Sequence, residues 1–193
     1  MNLFLPQYKD SIIMVAKKTK SEGPQYGGRE KYAYKLLPDL SGKEKIDLGE
    51  FSGSFLEQAV IPAHIKKLEA GAFLNCAYLE YVEIPDGITS IPIGAFSGCS
   101  RLKKVRLPES LEAIEDFGFY QCRSLEQIVL PKALKKIGKQ AFSGCTHLEY
   151  VVGREDYQKG EGAFEKCFSL IKKPEAIKEY KCGPYFSMIA WWS

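Results

Sequence analysis

The sequence predicts an α/β repeat solenoid, a coil with a parallel β-sheet on one face and short helical or 3₁₀ turns on the other side. Three observations predict it. Four columns of residues recur at a step of 23; within each step a period-two apolar run ends at a proline; and behind that run the apolar residues change to a spacing of three.

The step is read directly from the chain. Prolines stand at Pro62, Pro85, Pro108 and Pro131, phenylalanines at Phe73, Phe96, Phe119 and Phe142, cysteines at Cys76, Cys99, Cys122 and Cys145, and leucines at Leu79, Leu102, Leu125 and Leu148. A further turn carries Phe164, Cys167 and Leu170 one position early, with Arg154 in the proline column. Upstream, Ile46, Phe51, Leu56 and Ile61 fit a degenerate turn, and Gly53 is expected in its cysteine column after a one-residue deletion. The solenoid is therefore assigned to residues 37–173, in about six turns, best kept over 60–150.

Within a turn, Leu79-x-x-Val82-x-Ile84 recurs as Leu102, Val105, Leu107 and as Leu125, Ile128, Leu130. Period two with β-branched residues reads as a short strand. Proline stops it, because its ring keeps the preceding residue extended and removes a ladder donor. The pairs Ile88 and Ile91, Leu111 and Ile114, Leu134 and Ile137 then read as a second extended bend. Phe, Cys and Leu spaced by three suit a single helical or 3₁₀ turn with one inward face. Gly98 and Gly144 are placed to end that turn, where positive φ is cheap. No such turn buries its apolar stripe alone, whereas stacked turns bury one another's. Residues 1–36 lack the step but hold strand-like runs at Ser11–Ala16 and Lys31–Leu37, and read as an amino-terminal cap; residues 174–193 break register, are aromatic, and read as a carboxy-terminal cap.

Composition supports a packed core and little else. The 193 residues are 45% hydrophobic and 26% charged with a net charge of +3, too balanced to mark a nucleic-acid or membrane-surface binder. The longest apolar run, Ile12–Ala16, is five residues, against roughly 20 for a membrane span. No signal peptide is visible in the chain as given, so the compartment is unknown from the residues alone.

The motifs that carry chemistry resolve to structural readings. Two histidines, His64 and His147, stand in unrelated columns, and Cys145-x-His147 places a column cysteine beside a variable position, with no third orienting group. Neither catalysis nor metal binding is expected, and no cofactor. The column cysteines read as buried free thiols acting as small hydrophobes, although stacking leaves bridges between neighbouring turns geometrically open. Cys182, out of register, is the candidate for an exposed thiol. Gly160-Glu161-Gly162 lacks the remaining parts of a phosphate loop and reads as a loop with a deletion. The clusters Lys17-Lys18-Lys20, Lys103-Lys104-Arg106 and Lys132-Lys135-Lys136-Lys139 are interrupted by Glu109, Glu112, Glu115 and Asp116, so they read as solvated faces. Trp191 and Trp192 suit the closing cap.

The informative positions are the two in each strand that face away from the core. They are Gln58 and Val60, Tyr81 and Glu83, Lys104 and Arg106, Gln127 and Val129, Tyr150 and Val152. Their chemistry varies while the inward columns do not. A surface with Tyr, Arg and exposed Val is what interface cores contain, so Tyr81, Glu83, Lys104, Arg106, Gln127, Val129 and Tyr150 are the candidate ligand-binding residues.

The unit Leu-x-x-Val-x-Ile-Pro followed by Ile-x-x-Ile-x-x-x-Ala-Phe-x-x-Cys-x-x-Leu resembles the BspA-like leucine-rich repeats of bacterial surface proteins, over most of the chain. It departs from the commoner leucine-rich repeat, which places Asn or Cys where this chain has His64, Gly87, Ser110 and Ala133. The resemblance implies a right-handed leucine-rich-repeat coil. It also implies a non-enzymatic module that binds a protein or glycan ligand, including host matrix protein, in adhesion at the cell surface. The alternative is a structural spacer of a larger surface protein, with no ligand of its own.

Overall fold

The protein is described by a computed structural model over residues 36–171. The chain runs through β1 (Lys45–Ile46), β2 (Gln58–Val60), β3 (Lys67–Leu68), β4 (Tyr81–Glu83), β5 (Ser90–Ile91), β6 (Lys104–Arg106), β7 (Ala113–Ile114), β8 (Gln127–Val129), β9 (Lys136–Ile137), β10 (Tyr150–Val152) and β11 (Gln158–Lys159). Even-numbered strands lie on one face of the coil and odd-numbered strands on a second. Every pair is parallel, and the register reproduces the 23-residue step, with Val82 beside Val105, Ile128 beside Val151 and Ile114 beside Ile137, except in the first and last pairs, β1–β3 and β9–β11, which are offset by 22. The second extended bend thus forms strands of its own, in two sheets, β1-β3 and β5-β7-β9-β11.

The long-strand face comes in two pieces, β2-β4-β6 and β8-β10. At the other joints, Ile84 N–H donates to Arg106 O and Leu130 N–H to Val152 O, each at the end of its strand. The corresponding bond from Leu107 is missing, as are those from Glu126 and Gln127 to the turn before. Val105 and Leu107 are only half-buried, whereas Val82, Ile84, Ile128 and Leu130 in the same columns are buried. The same two turns stay joined through β7 and β9 and through Phe119 N–H on Ala141 O. A seam therefore opens the coil on one side only.

The expected helical or 3₁₀ side is not found: no helix occurs among the described residues. The third side is built of consecutive reverse turns, in which alternate N–H groups bond within the turn and between turns. Leu74 donates to Gly71 O and Cys76 to Phe73 O, while Phe73 donates to Ala95 O and Asn75 to Ser97 O. A 3₁₀ helix needs every N–H for its own i−3 carbonyl; here half are spent on the neighbour, so the segment becomes a third ladder. Both residues two positions from each phenylalanine take positive φ. Glycine fills many of these sites, including Gly98 at +75° and Gly144 at +78°, but Asn75, Phe117, Gln121, Gln140 and Lys166 adopt it too.

The interior is columnar. Phe51, Phe73, Phe96, Phe119, Phe142 and Phe164 form one stack with ring centroids 5.2–5.3 Å apart. Beside them Cys76, Cys99, Cys122 and Cys145 are buried and Cys167 half-buried, all as free thiols. Each donates its S–H to the phenylalanine carbonyl one turn earlier, Cys76 to Phe51 O at 3.0 Å through Cys167 to Phe142 O at 3.1 Å. In the first turn the column belongs to Ser54, not Gly53. Ser54 is buried with Oγ 3.3 Å from Cys76 Sγ, and Gly53 is a positive-φ corner at +68°. The deletion falls after Ser54, so the serine keeps its place three residues beyond Phe51.

The last turn is corrected similarly. Tyr150 pairs with Gln127 at the usual 23-residue step, whereas Gln158 pairs with Lys136 at 22, so the lost residue lies between Val152 and Gln158. Gly160 and Gly162 are repeat positions: Gly160 has the Gly138 and Lys139 backbone where a Cβ would sit, and Gly162 holds φ +64°. Leu36, at the edge of the expected amino-terminal cap, already makes a parallel bridge to Gln58, and Leu40 is buried. The remainder of that cap, the carboxy-terminal cap, Lys17-Lys18-Lys20, Cys182, Trp191 and Trp192 lie outside the described residues.

Candidate binding face

The outward columns of the long strands form two registers. Gln58, Tyr81 and Lys104 lie side by side, as do Val60, Glu83 and Arg106; beyond the seam Gln127 adjoins Tyr150, and Val129 adjoins Val152. All seven candidate residues share one face. The seam divides them into Tyr81, Glu83, Lys104 and Arg106 on one side and Gln127, Val129 and Tyr150 on the other.

On the first side the residues organise one another. Tyr81 Oη donates to Glu83 Oε2 at 2.9 Å, and Arg106 pairs with the other carboxylate oxygen of Glu83. The face thus presents a tyrosine and an arginine held by one carboxylate, with Val60 43% and Val129 44% exposed at either flank. That combination of fixed polar groups and open apolar side chains suits macromolecular recognition.

The other basic positions are neutralised across turns. Lys103 pairs with Glu80, Lys135 with Glu112, Lys136 with Glu115 and Lys139 with Glu161, at 2.8–3.0 Å. These are solvated ion pairs, in keeping with the sequence reading.

The catalytic and metal readings find no geometry. Cys145 points inward to Phe119 O, while exposed His147 turns its Nδ1 to Arg123 O at 2.8 Å, so thiol and imidazole face apart. Burial pushes the Cys145 and Cys122 thiols well up, away from thiolate chemistry. No metal-competent cluster of His, Cys, Asp or Glu occurs among the described residues. Two positions of the absent asparagine ladder still tie turns together: His64 Nε2 lies 2.9 Å from Leu40 O, and Ser110 Oγ donates to Ile88 O at 3.0 Å.

One feature of this face escapes sequence reasoning. Phe55, Tyr78 and Arg101 form an exposed ladder at the entry edge of β2, β4 and β6, with the rings 5.4 Å apart and the Arg101 guanidinium carbon 4.9 Å over Tyr78. Its signal was the column two residues after each cysteine. Phe55, Tyr78 and Arg101 keep the 23-residue step, but the column passes from aromatic to basic and so did not stand out as one group.

Comparison with known proteins places this architecture. The pattern described as BspA type leucine rich repeat region matches residues 44–172 in six copies. The chain belongs to that family. A leucine-rich repeat protein from Bacteroides ovatus is 33% identical with a TM-score of 0.62, over 65% of this chain and 33% of that one. The leucine-rich repeat protein of T. pallidum is 33% identical with a TM-score of 0.57, over 59% of this chain and 56% of that one. The pneumococcal vaccine antigen PcpA is 27% identical with a TM-score of 0.50, over 59% of this chain and 29% of that one. The match thus spans a third to just over half of the first two structures' own lengths. No curated protein matches the chain. Leucine-rich repeat families are generally protein-interaction or surface modules and generally non-enzymatic, and no helix among the described residues is long and apolar enough to cross a membrane.

Proposed function

We propose that the chain is a non-enzymatic, adhesive protein-binding module that works through the outward face of its long-strand sheet, at a cell surface. The observation that carries this is the contrast between columns. Inward positions repeat without change of chemistry, whereas outward ones gather Tyr81, Lys104 and Arg106 on adjacent strands. The stack does not require those residue types there, so their choice is open to the demands of a partner. Similarity to a pneumococcal vaccine antigen supports the surface setting.

The test is truncation of Tyr81, Lys104, Arg106 and Tyr150 to alanine, with Lys135 and Lys139 on other faces as the control set. Binding is read by surface plasmon resonance against a panel of purified matrix proteins. The sheet-face variant should lose at least about tenfold in affinity, because anchors of this type often carry over 1 kcal/mol apiece. At the exposed positions Lys104 and Arg106 the stability should change by within about 0.5 kcal/mol each. Equal loss from both sets would move the site elsewhere. Indifference of a bound partner to the sheet-face set would favour the spacer reading.

A further inference from the structure

We propose that the Phe55–Tyr78–Arg101 ladder is the anchoring edge of the binding face. Its ligand is an extended acidic protein segment that lays an apolar side chain on the two rings and a carboxylate on the guanidinium. The inference rests on the reading of the chain as a protein-binding module and gives that module a ligand chemistry.

The argument begins with exposure. Six phenylalanines of the chain stack in the core, yet Phe55 is 55% exposed and Tyr78 42% exposed, in a tilted pair with an interplanar angle of 44°. A large apolar surface held open beside a polar sheet face marks an interaction site rather than a packing need. The two rings in contact present a continuous exposed apolar surface across two turns.

Arg101 supplies the charge. Of the other arginines in the described residues, Arg106 pairs with Glu83, Arg154 with Asp156, and Arg123 Nε donates to Gln121 Oε1. Arg101 alone among the arginines of the described residues lies over an aromatic ring. The contact with Tyr78 engages the guanidinium's charge with the ring face rather than its N–H donors, and those donors suit a bidentate carboxylate. The neighbouring positive charge of Lys103 is taken by Glu80, so the anionic preference of this edge centres on Arg101.

Spacing then sets the ligand. Turns of a parallel stack lie about 4.8 Å apart, so a side chain laid across the exposed surface of the two rings is centred roughly 7 Å from Arg101. An extended segment covers that distance in about two residues, which also returns the second side chain to the same face. The recognised element is an aromatic or aliphatic residue, any residue, then Asp or Glu.

The experiment is selection of a displayed random twelve-residue peptide library on the immobilised full chain, followed by fluorescence anisotropy of the enriched peptides. The expected pool carries the apolar-x-acidic element. Arg101→Ala and Tyr78→Ala should each weaken it at least tenfold, Arg101→Lys should not restore it, and Arg101→Glu should shift selection to apolar-x-basic peptides. Circular dichroism checks that the variants fold. Failure to enrich any peptide, enrichment without an acidic residue, or indifference to Arg101→Ala would overturn the proposal. Peptides lost from Tyr81→Ala and Arg106→Ala but kept by the edge variants would overturn the edge alone and leave the sheet face standing. Peptides indifferent to both sets would remove both.

Discussion

A column cysteine in this protein is a hydrogen-bond donor as well as a small hydrophobe. The Cys122 thiol reaches Phe96 O at 3.1 Å, and the first position of the column is filled by Ser54. Cys122→Ser should therefore cost about 1–2 kcal/mol, no more than Cys122→Ala, because the hydroxyl finds the acceptor waiting. Chemical denaturation of the two variants checks this; a serine penalty more than about 1 kcal/mol above alanine would mean the carbonyl is out of reach. The same burial sets a pH dependence. Desolvation raises Cys99, Cys122 and Cys145, and it lifts Cys167 to about 11, whereas hydrogen bonding from Cys99 and Ser54 lowers Cys76. A raised thiol favours the folded protein fully below the unfolded value near 8.5, and that advantage is lost as pH rises toward the folded value, at about 1.4 kcal/mol per pH unit for each thiol. Four raised thiols outweigh one lowered, so stability should fall steeply above about pH 9, and Cys122→Ala should flatten the fall. Burial of the cysteines was legible from their column. The carbonyl they serve was not, because it belongs to a residue 25 or 26 positions away that only stacking brings near.

At the scale of elements, the strands and their register follow from period two and proline, and the positive-φ corners at Gly98 and Gly144 follow from glycine. The 3₁₀ turn did not materialise because a spacing of three records which side chains point inward, not where the N–H groups go. Gly98 shows how closely the resulting ladder fits: a Cβ there would fall 2.1 Å from Asn75 Oδ1 in the previous turn. The seam between β6 and β8 was equally invisible, since Val105 and Ile128 obey the pattern on either side of it. Native-state hydrogen exchange should find the Leu107 and Gln127 amides exchanging faster than Ile84, Leu130 and Lys104, whose inter-turn bonds are intact. Equal protection at all joints would mean that the sheet is continuous in solution. The candidate face was legible by columns for Tyr81 through Tyr150, and the Phe55–Tyr78–Arg101 edge was missed because its column changes from aromatic to basic along the stack, and the contact between ring and guanidinium appears only once the turns are stacked.

For the molecule as a whole, repetition makes stability a sum over turns and their interfaces. Excising Val105–Gln127, one full 23-residue period, should leave a shorter folded protein, since Lys104 then runs directly into Ile128 in the same frame. Removing about half a period instead should abolish folding, because it sets strand against corner. Circular dichroism with thermal melting separates the cases; identical behaviour of both deletions would refute the additive stack. The ion pairs add a consequence of another kind. Lys103 reaches back to Glu80, Arg106 to Glu83, Lys135 to Glu112 and Lys136 to Glu115, each basic residue meeting the acid of the turn before it. The core columns make the turns interchangeable as building blocks, but these charges act as an address on each block. A chain with its middle turns shuffled would keep the core columns and yet separate these basic residues from their acids. The order of the repeats is thus written on the surface, where duplication could copy a turn freely and only later substitutions could fix its neighbours.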